Sequence, residues 1–240
     1  MSATPDASFT KSGLPGLERI PYGIHMCHFY REREDLVAAL VPFFIAGLSN
    51  RERCIWITAE PLVAAHARRE LEGAGLNVEA AIRSGSLTIM DYSEFYLQAA
   101  GMKSSQVAEM WLAEEERALA KGYDGLRITG NASFVSPETW PDFMDYEEVV
   151  HRAFQGTRIV SLCSYDLRRC GVNDILDVVR RHSCALERPD EAWQIVTELS
   201  VSRSARSHAV PEDHAARRSS SASGRSSTFT QPDSRRSKAL

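Results

Sequence analysis

No stretch of the 240 residues approaches the roughly 18 consecutive apolar positions that a bilayer-spanning helix needs, so no membrane span is expected. The opening residues, Met1-Ser-Ala-Thr-Pro-Asp6, lack the basic-then-apolar order of a secretory leader. Cysteine is sparse: there are five, an odd number, and none falls in a Cys-x-x-Cys pair. That removes a disulfide framework and a zinc-ribbon spacing, and it fits a reducing, cytoplasmic setting. No serine sits in a Gly-x-Ser-x-Gly elbow, so hydrolase chemistry of that type is not indicated.

The most informative absence is of glycine at one place. Gly23-Ile-His-Met-Cys-His-Phe-Tyr30 reads as a strand, Glu34 to Leu48 as an amphipathic helix, and Cys54-Ile-Trp-Ile-Thr58 as a second strand. Phosphate-binding nucleotidases open with that layout. In them a glycine-rich loop ending in Lys-Ser/Thr joins the first strand to the helix and cradles phosphate with backbone N–H groups. Here the loop is Arg31-Glu-Arg-Glu-Asp35, with no glycine and three carboxylates where an anion would have to sit. The scaffold is nucleotide-like and the phosphate seat is missing, which steers the reading from catalysis toward sensing.

Charge is unevenly distributed. From Arg203 onward eight Arg/Lys oppose three acids, so the whole-chain net charge of −4 leaves about −9 on the body. An acidic body repels a phosphate backbone, so direct nucleic-acid binding is not expected. The segment 203–240 is rich in Ser and Arg without periodicity and reads as a disordered tail. Residues 1–20, with Ser, Pro, Gly and Lys, read as a flexible lead-in.

Between them, strand-like and helix-like segments alternate. Leu87–Met90, Leu126–Thr129 and Arg158–Ser164 are short apolar runs. Pro61–Ala74, Tyr92–Ala100, Ser105–Lys121, Trp140–Gln155 and Asn173–Cys184 have helical spacing, and Pro42 falls within the first helix. Strands separated by helices predict one α/β domain over 21–202, with a mainly parallel sheet and helices on both faces.

Candidate chemistry sits at strand ends. Strand alternation puts His25 and Cys27 on one face and His28 on the other. His25 and Cys27 have metal-ligand or thiol chemistry, with Cys163, Cys170 and His182 as remote partners, but they also read as ordinary core residues. Gly125-Leu-Arg-Ile-Thr-Gly-Asn131 brings Arg127 and Asn131 toward a strand exit, where Arg127 either faces a pocket or pairs with an acid such as Asp166 or Glu60. Cys163-Ser-Tyr165 shares a face with itself at both ends and would join His25 and Cys27. Glu147 and Glu148 read as a solvated helix face.

Taken together, Gly23-x-His25-x-Cys27-x-Phe29-Tyr30, Gly47-Leu48 through Glu52-x-Cys54-Ile-Trp-Ile-Thr58, Gly125–Asn131 and Cys163-x-Tyr165 resemble the MEDS sensory domain, over roughly residues 20–200. The resemblance implies a KaiC/RecA-like fold without a working phosphate loop. It also implies a sensor of small hydrocarbon derivatives attached to or acting with a histidine kinase or a transcription regulator, here expected as a stand-alone sensor acting in trans or as a domain separated from its output. No kinase, PAS-like or helix-turn-helix pattern follows residue 200.

The sequence therefore predicts a non-catalytic small-molecule sensing module. Its expected ligand-binding residues are His25, Cys27, Tyr30, Arg127, Asn131, Cys163 and Tyr165, lining a crevice at the carboxyl ends of the strands for a small apolar ligand. No cofactor or metal ligand set is assigned. The alternatives are a divergent nucleotide-binding protein of the same fold and a thiol or metal sensor built on Cys27 and His25.

Overall fold

The computed structural model describes residues 8–99, 102–189 and 191–197. The chain starts with an antiparallel hairpin, β1 (Phe9–Leu14) and β2 (Leu17–Pro21). The expected flexible lead-in is thus, from residue 8, a structured element. Its alternate residues Thr10, Ser12 and Leu14 are buried, a period-two pattern that the Ser and Gly content of the segment concealed.

The main sheet follows: β3 (His25–Tyr30), β4 (Arg53–Thr58), β5 (Leu87–Asp91), β6 (Leu126–Asn131), β7 (Ile159–Asp166), β8 (Cys184–Glu187) and β9 (Gln194–Val196). The spatial order is β5-β4-β6-β7-β3-β8-β9, and every pairing is parallel except β8 with β9. The fold class read from the alternation is the one observed. β8 and β9 were not anticipated: the helix expected over Asn173–Cys184 is α7 (Val172–Arg180), and Cys184 opens a strand instead.

Helices α1 (Arg33–Ser49), α2 (Ala64–Gly73) and α3 (Val78–Arg83) pack on one face of the sheet, against Met26, Cys54, Trp56 and Leu162. Helices α4 (Tyr92–Ala99), α5 (Ser104–Ala120), α6 (Trp140–Phe154) and α7 cover the other, over Ile55, Ile128, Ile159 and Cys27. Pro61, expected in the first turn of α2, lies ahead of it.

α1 is buried almost all round, at Leu36, Ala39, Leu40, Val41, Phe43, Phe44 and Gly47, because the sheet lies on one side and the hairpin on the other. Phe44 stacks on Trp56 at 4.7 Å. Pro42 sits within the helix span. At the hairpin, Gly13 has φ +84°, and a Cβ there would lie 2.1 Å from the Pro42 carbonyl oxygen, so only glycine lets β1 come this close.

Candidate functional site

Parallel register decides which candidates meet. His25 pairs with Ser161 and Cys27 with Cys163, while Ile128 is opposite Ser161 and Gly130 opposite Cys163. Side chains of His25, Cys27, Ile128, Cys163 and Tyr165 therefore point to the α6 side, as period-two alternation requires. Those of Tyr30, Arg127 and Asn131 point to the α1 side. The seven expected ligand-binding residues divide between two faces.

On the α6 side four polar groups converge. His25 Nε2 lies 3.2 Å from Glu147 Oε2 and 3.3 Å from Cys163 Sγ, and His182 Nε2 lies 3.5 Å from the same Glu147 oxygen. The two imidazole rings are 4.0 Å apart. The Tyr165 hydroxyl approaches His182 Nε2 at 3.5 Å. Glu147 and His182 complete the group; Glu147 was missed as a member of a site, and His182 had been named as a possible metal partner of His25 and Cys27.

The reading of Glu147 as solvent-facing is corrected: it is 2% exposed. The buried side of α6 runs Met144, Glu147, Val150, Phe154, and Glu147 falls on that stripe at three- and four-residue spacing. That spacing was the available signal. Its neighbour Glu148 does face outward, where it pairs with Arg152. His182 was named only as a remote partner; its position after α7 brings it under β3. Cys170, named beside it, lies away from the cluster in the crevice at the strand ends.

Burial governs the charge states. It lowers His25 to about 3, with His151 adding to the effect and the Arg181 backbone opposing it. It lowers His182 to about 3 as well, His25 reinforcing the shift and Glu147 opposing it. Both histidines are neutral at pH 7. Burial raises Glu147, against the pull of His182 and of the Tyr165 and Cys163 side chains. It raises Cys163 well above the ordinary thiol range, and Glu147 pushes it further. Glu147 Oε2 has no hydrogen-bond partner despite its close neighbours.

A cavity of about 60 Å³ adjoins this cluster, with Ile57, Phe95, Trp111, Ile128, Val150 and Phe154 among its apolar lining and Thr129, the expected Asn131, Glu147, Ser161, Cys163 and Tyr165 as its polar lining. A water needs about 10–15 Å³ of such volume, so the space suits a molecule of a few heavy atoms. A separate crevice of about 190 Å³ opens at the carboxyl ends of β6 and β7, lined by Ser133, Trp140, Tyr165, Asp166 and Arg169. Tyr165 lines both. A larger concavity, about 1010 Å³, is an open groove along the hairpin and includes none of the cluster residues.

The remaining candidates have structural partners. Arg127 is fully buried and its guanidinium meets Glu52, not Asp166 or Glu60, with Nε donating to Oε2 at 2.5 Å. It also donates to the carbonyls of Lys11, Ser12 and Phe43 at 2.8, 3.1 and 2.7 Å. Gly47 makes room for it: a Cβ there would lie 2.7 Å from Arg127 Cδ. Arg127 is thus removed from the expected pocket, since it spends its donors on the hairpin and α1. The Tyr30 hydroxyl donates to Asn131 Oδ1 at 3.2 Å, and the same oxygen accepts from the Ser133 N–H at 2.9 Å, closing the turn after β6. Cys27 Sγ donates to the Cys184 carbonyl at 3.6 Å, outside the four-residue cluster.

At the start of α1, Asp35 Oδ2 accepts from the backbone N–H of Arg31 at 2.9 Å and of Glu32 at 3.1 Å. An intrinsic carboxylate occupies donors that a phosphate would use at a helix N-terminus.

These features define a parallel-sheet α/β domain whose helix-end anion seat is filled from within and whose convergent polar groups lie under the sheet. The chain belongs to the MEDS family, the methanogen/methylotroph, DcmR sensory domain, whose profile matches residues 24–183. It is 28% identical over 182 residues to the transcriptional repressor DcmR of Methylorubrum extorquens, an alignment covering 75% of this chain. The chain spans 65% of that relative's length. Among solved structures, the flagellar accessory protein FlaH of Methanocaldococcus jannaschii matches with TM-score 0.49 at 12% identity, covering 74% of this chain and 80% of that one. A KaiC-like protein of Pyrococcus horikoshii OT3 matches with TM-score 0.48 at 15% identity, over 78% and 85%. Family membership gives the chain a sensory role. No helix among the described residues is long and apolar enough to cross a membrane.

Proposed function

We propose that this domain is a non-catalytic sensor of a small apolar molecule, a hydrocarbon derivative with one polar or polarizable atom, and that it reports to a signalling element such as a histidine kinase or transcription regulator. The observation that carries the reading is the cavity of about 60 Å³, apolar on most sides and closed on one by Glu147, Cys163 and Tyr165. Small-molecule sites combine an apolar lining with a few oriented polar groups, and this one does so on a miniature scale. The polarizable Cys163 sulfur suits an apolar or halogenated atom. The thiol-sensor alternative is disfavoured, because burial holds Cys27 far above the thiolate range and the thiolate is the reactive form.

Gly130 supplies the test. It lies on the cavity wall, and a Cβ added there meets no atom within 4 Å. Gly130→Val extends from that open Cβ position into the cavity. A panel of short-chain halides, alcohols and ketones, followed by shifts of wild-type methyl resonances in NMR, is expected to give at least one saturable binder that Gly130→Val abolishes at unchanged melting temperature. No saturable shift across the panel, or binding indifferent to Gly130→Val, would overturn this site.

A further inference from the structure

We propose that His25 Nε2, His182 Nε2, Cys163 Sγ and a Glu147 carboxylate oxygen form a tetrahedral site for a divalent transition-metal ion of the zinc class. This goes beyond the sensor reading and does not depend on any organic ligand. One ligand atom from each of the four residues can be chosen so that all lie within 4.8 Å of one another. Metal–nitrogen, –oxygen and –sulfur bonds of about 2.0–2.3 Å set the edges of a tetrahedron at roughly 3.3–3.6 Å. The observed separations of 3.2, 3.3 and 3.5 Å need only small side-chain adjustments to meet them.

Three further observations point to an ion. His182 Nδ1 is 2.7 Å from the Val178 carbonyl, so Nδ1 carries the proton and Nε2 presents a lone pair. This is the outer hydrogen bond that orients a metal-ligating histidine. That lone pair has a Glu147 oxygen and the Tyr165 hydroxyl each at 3.5 Å, and with Glu147 ionised the carboxylate and the imidazole are two acceptors that an interposed cation makes favourable. Glu147 Oε2 is buried and without a hydrogen bond. The neighbouring cation, Arg181, is already engaged with Asp177 at 3.3 Å.

The charge count closes. A divalent ion entering with release of the Cys163 thiol proton, and of the Glu147 proton where present, leaves one thiolate, one carboxylate and two neutral imidazoles around +2. A buried site tolerates that neutral sum, whereas a lone carboxylate there is costly. Two imidazoles, a thiolate and a carboxylate suit zinc, ferrous iron and cobalt, and exclude calcium and magnesium, which require oxygen ligands. The ligands come from β3, α6, β7 and the α7–β8 turn, so the fold sets the geometry and no short motif announces it. Glu147 and Cys163 also line the cavity, which places the ion at its polar wall.

The test uses the full chain, stripped with a chelator and titrated with Co²⁺ and then Zn²⁺. We expect a single equivalent of Co²⁺ with intense tetrahedral d–d bands and a thiolate-to-cobalt charge-transfer band, displaced by Zn²⁺. His182→Gln and Cys163→Ser should each weaken Zn²⁺ binding by at least roughly 100-fold, since even outer-shell losses cost 10–100-fold. Cys27→Ser, on β3 two residues from His25 but outside the four-residue cluster, should leave it unchanged. The wild-type spectrum decides even where a variant fails to fold. Absence of the thiolate band on wild type, or Zn²⁺ affinity unaffected in folded His182→Gln and Cys163→Ser, overturns the site. Gly130→Val separates the two proposals: it should keep the metal and lose the organic ligand.

Discussion

A single side chain can carry acid sensitivity for this domain, and His28 shows how. It lies on the α1 side of β3, 3% exposed, with its ring edge against Trp193 at 5.1 Å. Burial lowers it to about 4, Asp35 opposing the shift and Arg188 assisting it. The unfolded chain protonates His28 near pH 6.5 while the folded chain keeps it neutral until about pH 4, so across that window the unfolded state binds the extra proton. The stability this residue contributes is therefore complete above pH 6.5 and is lost as pH falls toward 4. The slope approaches about 1.4 kcal/mol per pH unit. His28→Leu should narrow its urea-midpoint difference from wild type, or reverse it, between pH 7 and pH 5. Parallel declines in the two proteins would sink the assignment. His28's face was legible from strand alternation alone. Its neutral state was not, because Trp193, Asp35 and Arg188 reach it only through folding.

Between elements, the decisive device is the Arg127–Glu52 pair, which ties the hairpin and α1 to β6. Glu52 also accepts from the Thr10 hydroxyl at 2.5 Å and the Tyr22 hydroxyl at 2.9 Å, and Arg127 lies over the Phe43 ring at 4.5 Å. Alternation within β6 set Arg127 apart from Leu126 and Ile128. Assigning it to the pocket face required the register across three strands, and that register puts Ile128 beside His25's partner Ser161. Helices and central strands were legible from their apolar periods, whereas the hairpin and β8–β9 were not, being short, polar and fixed by contacts distant in sequence. The structural reading of Arg127 has a measurable outcome. Arg127→Met strands a buried carboxylate and removes the hairpin's anchor, so it should lower unfolding free energy by roughly 3–5 kcal/mol. It should also speed hydrogen exchange across residues 9–21 more than at β7. A stable variant that has lost small-molecule binding would return Arg127 to the binding site.

At the scale of the whole molecule, the parallel sheet feeds into an acidic, internally capped start of α1. The acidity of this segment was legible in its composition, and the structure shows what one of its carboxylates bonds. The backbone N–H groups of Arg31 and Glu32 are already taken by the Asp35 carboxylate. Glu34 adds another acid to the first turn of α1. A triphosphate arriving there would have to displace a resident anion and then sit among like charges, with no glycine loop to wrap it. A ligand at 100 times its Kd would raise stability by about 2.7 kcal/mol. For a domain of this size that corresponds to roughly 5–10 °C in melting temperature. Mg-ATP at millimolar concentration should therefore leave the melting temperature within error of magnesium alone, in wild type and in Gly130→Val alike. A rise of several degrees specific to the nucleotide would show that the Asp35 carboxylate gives way to phosphate, and would favour the nucleotide-binding alternative.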